Sequence, residues 1–330
     1  LEFRRVLFRS VKMLTLESKN NQIVLVDSLS VDLPSGNHMF HSIALVKNGD
    51  LSEWWLIIRD CVTNKLLVYL VDENGMNKHS EAFLSLNNNF ENVFGEMDFS
   101  KDGKRLAVSF TDSKKFALCD FDRCSGELSN CKLFSNEDIG APDLDGIYGL
   151  EFSANNRFLY ITADEYIYQL DLRTNTSYIL EDSLKAVFDN QVREQYDFTH
   201  AHRGGQLQMM PNGQIAMAHT SFSVFDPNTG TGGQCCSYDR VNQYLSVIEH
   251  PDSAGAACGW NPLSMKVAEG KRRFFWGLPS FPNYRIGPDE RCSVGREDAV
   301  EDKGSMTIYP NPASDVVEFE YALPAQPQNA

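Results

Sequence analysis

The sequence predicts an all-β fold built from four-stranded blades repeated around an axis, a β-propeller of about five blades whose ring is not necessarily complete. Three observations carry that expectation. A strand–turn–strand phrase recurs at near-constant spacing. Each copy is followed by a further strand closing on an apolar–Asp pair. Aromatic residues make up 11% of the chain, with 21 Phe and 12 Tyr, a composition that suits strands more than helices.

The phrase is clearest at Phe99-Ser100-Lys101-Asp102-Gly103, followed by the strand Leu106-Ala107-Val108. Phe152-Ser153-Ala154-Asn155-Asn156 leads into Phe158-Leu159-Tyr160-Ile161 in the same way, and Met209-Met210-Pro211-Asn212-Gly213 into Ile215-Ala216-Met217. An earlier copy runs from Leu45 through Asn48-Gly49-Asp50 to Trp54-Trp55-Leu56-Ile57-Ile58. The Asp-Gly, Asn-Asn and Asn-Gly pairs supply the positive φ of tight hairpin turns. The anchors Leu45, Phe99, Phe152 and Met209 lie 54, 53 and 57 residues apart. The third strands are expected to end at Val71-Asp72, Phe121-Asp122, Leu170-Asp171 and Phe225-Asp226. A fifth unit is expected to start at Tyr244-Leu245-Ser246-Val247-Ile248. Near-constant spacing separates this layout from a two-sheet sandwich. Trp54 and Trp55, adjacent on one strand, must face opposite sides of the sheet, so one of them is expected between blades.

Around this domain, residues 1–10 (LEFRRVLFRS) carry three arginines and no secretory h-region. They read as a scar segment, and the natural start is expected upstream. Residues 11–284 form the propeller domain, with apolar strand residues at 23–26 and a short helix expected near 183–188. Residues 285–304 are charged and aperiodic, a linker, and 305–330 form a tail. The formal net charge of −15 argues against nucleic acid, whose phosphates need a basic surface. No run of 18 apolar residues is present, so no membrane span is expected. Among eight cysteines there is no CxxC pair of the zinc-ribbon kind. If residues 116–122 and 128–134 pair as a hairpin, Cys119 faces Cys131; Cys124 with Cys131 is the competing disulfide.

No G-x-S-x-G, H-E-x-x-H, P-loop or dinucleotide motif occurs. Gly230-Thr231-Gly232-Gly233 reads as a hairpin loop. Counting back seven from each anchor gives His38, Asn92, Asp145 and His202. All four are metal-compatible types at equivalent places before the first strand of successive blades. They are the candidate ligands for a divalent cation at one mouth of the channel; otherwise no cofactor is expected.

The tail carries Tyr309, Pro310, Asn311, Pro312, Ala313, Ser314 and Asp315, then Val317, Phe319 and Tyr321 on one strand face. This resembles the opening of the C-terminal sorting domain of cargo of the bacterial type IX secretion system, a β-sandwich that continues for several more strands. The resemblance implies a chain that stops inside its sorting domain, a secreted or surface-attached location, and the type IX machinery as partner. Residues 244–260, 274–287 and Cys292 are similar to the end of a propeller-like region in large exported Bacteroidetes proteins. With Gly49-Asp50, Trp54-Trp55 and the stretch 121–126, that likeness covers most of residues 41–292. The expectation is therefore a non-enzymatic propeller that binds a protein or glycan ligand. The alternative is a lactonase-like hydrolase or lyase with a cation at the channel mouth.

Overall fold

The computed structural model describes residues 10–293 except 20–21, 33–39, 61–62, 73–74, 85–93, 165, 182–183, 185–198, 226–239, 270–276, 279–281 and 284; beyond these it describes 306–309 and 318–321. It divides into two units, Leu1–Asp289 and Glu290–Ala330.

The first unit holds four sheets of four antiparallel strands, each a simple meander. Blade 1 comprises β3 (Phe40–Lys47), β4 (Trp54–Asp60), β5 (Lys65–Asp72) and β6 (Gly75–Phe83). Blade 2 comprises β7 (Met97–Phe99), β8 (Arg105–Phe110), β9 (Lys115–Asp122) and β10 (Glu127–Phe134). Blade 3 comprises β11 (Leu150–Phe152), β12 (Phe158–Thr162), β13 (Ile167–Asp171) and β14 (Thr176–Glu181). Blade 4 comprises β15 (Thr199–Met209), β16 (Ile215–Phe225), β17 (Tyr244–Ile248) and β18 (Trp260–Lys266). A further antiparallel pair, β1 (Ser10–Lys19) and β2 (Gln22–Asp32), precedes them. The first strands are neighbours in sequence order: β3 beside β7, β7 beside β11, β11 beside β15. That succession is the radial arrangement of a propeller.

The recurring phrase folds by one recipe. In blade 2, Ser100 Oγ donates to Asp102 Oδ1 at 2.6 Å and accepts the Arg105 N–H at 2.9 Å. In blade 3, Ser153 Oγ donates to Asn155 Oδ1 at 2.8 Å and accepts the Phe158 N–H at 2.9 Å. The left-handed residue that the hairpin needs is Gly103 (φ 68°), Asn156 (φ 58°) and, in blade 4, Gly213 (φ 85°). The aspartates closing the third strands also repeat their role. Asp72, Asp122 and Asp171 accept the N–H groups of Gly75, Cys124 and Arg173, each at 2.9 Å.

Two expectations need correction. The described residues form four blades, not about five. Tyr244–Ile248 does not open a new blade; it pairs with β16 as the third strand of blade 4. Phe225 accordingly ends a second strand, where Phe121 and Leu170 end third strands. The fourth repeat is longer than the others, and its long β16 and the 226–243 connection displaced the count. Asp226, the 230–233 loop and most of the helix expected at 183–188 lie outside the described residues.

The core is stacked between blades. Val46, Trp55, Ile57 and Val68 of blade 1 meet Phe99, Leu106, Val108 and Phe121 of blade 2. Ala107 and Phe116 meet Phe152, Leu159, Ile161 and Tyr168 of blade 3. Phe158, Tyr160 and Ile167 meet Leu207, Ile215, Met217 and Ile248 of blade 4. Trp55 is the tryptophan expected between blades, 4% exposed, and its Nε1 donates to the Arg123 carbonyl at 2.8 Å. Trp54 faces the other way, under the Lys47 ammonium. Gly126 (φ 72°) passes over the Trp55 ring so closely that a Cβ there would sit 2.6 Å from it.

A disulfide joins Cys119 of β9 to Cys131 of β10, with Cα atoms 4.0 Å apart. Cys124 and Cys292 are disulfide-bonded too, whereas Cys258 is a buried free thiol. No helix of the described residues is long and apolar enough to cross a membrane. In the second unit, β19 (Met306–Tyr309) and β20 (Glu318–Tyr321) pair antiparallel, Ile308 opposite Phe319. That is a two-stranded hairpin; a sandwich is not shown. Of the sorting-type motif, Tyr309 ends β19, and residues 310–315 lie outside the described residues.

Candidate functional site in the central channel

All four first strands contribute to one cavity of roughly 80 Å³ on the axis, through Ile43–Leu45, Met97–Phe99, Glu151 and Leu207 with Gln208; Glu96 and Pro282 complete the wall. Neighbouring first strands are not joined by a backbone ladder, because each belongs to a separate sheet. Their inward N–H groups need other acceptors. Side-chain carboxyls supply them. Glu96 Oε2 accepts from Leu150 N at 3.0 Å, Asp98 Oδ2 from Phe152 N at 3.4 Å, and Glu151 Oε2 from Met209 N at 2.6 Å. Asp98 and Glu151 each directly precede a repeat anchor, so alternation turns them to the opposite face of their sheet, toward the first strand of the next blade.

These acids are deeply placed: Glu96 is 9% and Glu151 1% exposed. One cation serves them. The Lys101 ammonium, which leaves the turn after β7, pairs with Glu151 and lies 3.6 Å from Asp98 Oδ2. Gln206 bonds to Glu96, and its Oε1 accepts the Leu278 N–H at 2.7 Å.

Three carboxyls and one ammonium in so little water cannot all be charged cheaply. Burial pushes Glu96 well above the carboxylate range, against the Leu150 hydrogen bond and with help from Asp98 and Glu151. Burial also raises Glu151, to about 8, with Asp98 reinforcing and Lys101 opposing. Burial works against the Lys101 ammonium, but Asp98 and Glu151 outweigh it and hold it above its ordinary value. Tyr148, just before β11, is pushed to about 12 by burial and then by Glu96. The cluster therefore holds Glu96, whose neutral form burial favours, beside Glu151, which titrates near 8 next to the Lys101 ammonium.

The four residues expected to hold a cation fall differently. His38 and Asn92 lie outside the described residues. His202 is on β15, opposite Ser221. Asp145 sits in the loop entering β11, and its carboxylate pairs with the Lys114 ammonium. Its N–H donates to Asp143 Oδ1 at 3.0 Å, and its carbonyl accepts from Asp164 N at 2.7 Å.

Within the channel itself, the oxygens do not suit a divalent cation. Lys101 already occupies the place between Asp98 and Glu151, and each acid accepts a backbone N–H. Among other ligand types, Cys124, Asp289 and Cys292 carry metal-binding groups, but both cysteines are disulfide-bonded and offer no thiolate.

The channel acids were missed by the sequence reading, although a signal was present. Position −1 from the anchors reads Asp98, Glu151, Gln208, and position −3 reads Glu96, Gly149, Gln206. Polar residues at two inward positions of otherwise apolar first strands mark a lined channel.

No protein-family model matches this chain, and no curated relative matches it. Solved structures with a similar course include a protein from Lactobacillus plantarum, 12% identical with TM-score 0.43, covering 79% of each chain. A second is named a putative 6-phosphogluconolactonase from Bacteroides uniformis: 11% identity, TM-score 0.42, 72% of this chain and 70% of that one. A third is named the periplasmic gluconolactonase of Pseudomonas aeruginosa: 12% identity, TM-score 0.42, 72% and 69%. Likeness at this level assigns no activity. The expectation of a non-enzymatic binding module is corrected instead by the channel itself. The buried acid cluster removes the main ground for that expectation, the want of any catalytic constellation.

Proposed function

We propose that this chain is a propeller hydrolase of the lactonase-like kind, acting at its central channel. The observation that carries the reading is the group Glu96, Asp98, Glu151 and Lys101 around one cavity, with two carboxyls displaced upward by burial. A carboxyl whose titration is moved toward the working pH, beside a second acid that burial keeps protonated more readily, suits ester-type hydrolysis. Glu151, once ionised, takes the proton of the attacking water. Lys101 beside it favours that ionised form. Glu96, whose proton burial helps to retain, donates to the ring oxygen as the acyl–oxygen bond breaks. Tyr148 stays protonated and adds a donor on the same side.

Two finer elements belong to the same reading. A divalent cation held by His38, Asn92, Asp145 and His202 at the entry mouth would polarise the lactone carbonyl there. Export through the type IX machinery, with the tail motif 309–315 as its signal, is supported by the Cys119–Cys131 disulfide, a bond of oxidising compartments.

The test is hydrolysis of small lactones, followed by acid release, with the purified chain and its Glu151→Gln and Glu96→Gln variants. Each substitution is expected to lower kcat by about 10²–10⁴-fold. Turnover unchanged in both variants, or absent from the parent chain across a panel of lactones, rejects the reading. Metal analysis before and after His202→Ala reads the mouth site separately.

A further inference from the structure

The charge layout narrows the substrate class, an inference that rests on the hydrolase reading above. On the axis stand Glu96, Asp98 and Glu151, and their one cation, Lys101, is engaged by two of them. A phosphate could take Lys101 only by displacing Asp98 and Glu151, and would leave both buried and unpaired.

The entry mouth repeats the pattern. The loop into β11 and the turn between β8 and β9 lie at the end of the ring where the first strands begin, as does Glu96. There the Lys114 ammonium is paired with Asp145 and also feels Asp143 and Asp164. Among the described residues, each lysine at the channel or its mouth is thus already matched by more than one carboxylate. The whole chain, at −15, adds a repulsive field of the same sign.

We propose that the channel selects uncharged lactones of polyhydroxylated acids and rejects the corresponding phosphate esters. Hydroxyl groups can exchange hydrogen bonds with carboxyl oxygens and with Gln208; a phosphate dianion meets like charge on entry and finds Lys101 already engaged by Asp98 and Glu151. This divides two substrate types that share the same reacting lactone, and the division falls on charge alone.

The experiment uses the full chain and two probes, a sugar δ-lactone and the same lactone carrying a terminal phosphate ester. At low ionic strength and pH 7, kcat/KM for the neutral lactone is expected to exceed that for the ester by about 100-fold or more. The ratio should shrink as salt is added, because exposed charges at the mouth are screened. Replacing the mouth carboxylate beside Lys114, Asp143→Asn, should raise kcat/KM for the phosphorylated probe and leave the neutral one within about twofold. Equal turnover of the two probes, or preference for the phosphate, overturns the inference while leaving the hydrolase reading intact. Turnover of neither probe, with neither bound in calorimetry, overturns both together.

Discussion

The seam between blades 1 and 2 and the seam between blades 2 and 3 do the same structural work with opposite chemistry. In the first, Arg123 is the polar fastener, 2% exposed. Its Nε donates to the Lys47 carbonyl at 2.9 Å, and its Nη2 to the carbonyls of Asn48 at 3.0 Å and Gly287 at 2.9 Å. A guanidinium keeps its charge at every pH the fold survives, so this fastener is insensitive to pH. In the second, the fasteners are Glu96 and Asp98, carboxyls that accept backbone N–H groups of β11. These border the cavity and stand beside a third acid, and burial displaces Glu96 upward. Fastening alone needs no such excess of acid, as the first seam demonstrates. The difference teaches which of two polar, buried clusters carries chemistry.

Removing each fastener sharpens the contrast. Lys101→Ala should have the largest effect, about 3–5 kcal/mol of unfolding free energy at alkaline pH, because it strands buried carboxylates. The loss should shrink as pH falls and those carboxyls take protons; chemical denaturation at several pH values checks it. Arg123→Ala should cost about 2–4 kcal/mol through lost charge-assisted hydrogen bonds, with the same value at each pH. A matching pH dependence in the two variants would break the comparison. Removing the Cys119–Cys131 disulfide, which closes a separation of 12 residues, should cost about 2–3 kcal/mol without pH dependence. Gly126→Ala should cost about 1–3 kcal/mol, since its φ of 72° and the Trp55 ring both oppose a Cβ; a thermal melt reads it.

The pH dependence of the parent protein follows from the same group. Glu151 titrates near 8 in the folded state against an ordinary value of 4.5. A carboxyl raised on folding binds more protons in the native state between those values. Stability should therefore fall as pH rises from about 4.5 to about 8, opposite to the usual salt-bridged carboxylate. Activity should rise over the upper part of that window, as Glu151 becomes the base.

Much of the fold was legible because its signals are local. Ser100-Lys101-Asp102-Gly103 and Ser153-Ala154-Asn155-Asn156 specify the same hydrogen-bonded turn within five residues, and their spacing announced repeated blades. The blade count was not legible, because strand order in blade 4 depends on β16 meeting β17 across a long connection. The channel acids were half legible. Their face of the sheet follows from alternation beside the anchors, but their burial, their shared lysine and their displaced titration arise only when the first strands of different blades converge. The mouth positions show the reverse: equal spacing from the anchors does not mark equivalent places, since Asp145 lies in a loop, paired with Lys114, and His202 lies in a strand.

The central claim is that the channel keeps a carboxyl neutral at physiological pH. Infrared spectroscopy of the parent chain and of Glu151→Gln, at pH 7 and above in isotopically labelled glutamate, reads it directly. The account predicts a protonated carboxyl band in the parent at pH 7 that weakens as pH rises through about 8, and a weaker band at pH 7 in Glu151→Gln. A spectrum at pH 7 with every glutamate ionised would contradict it.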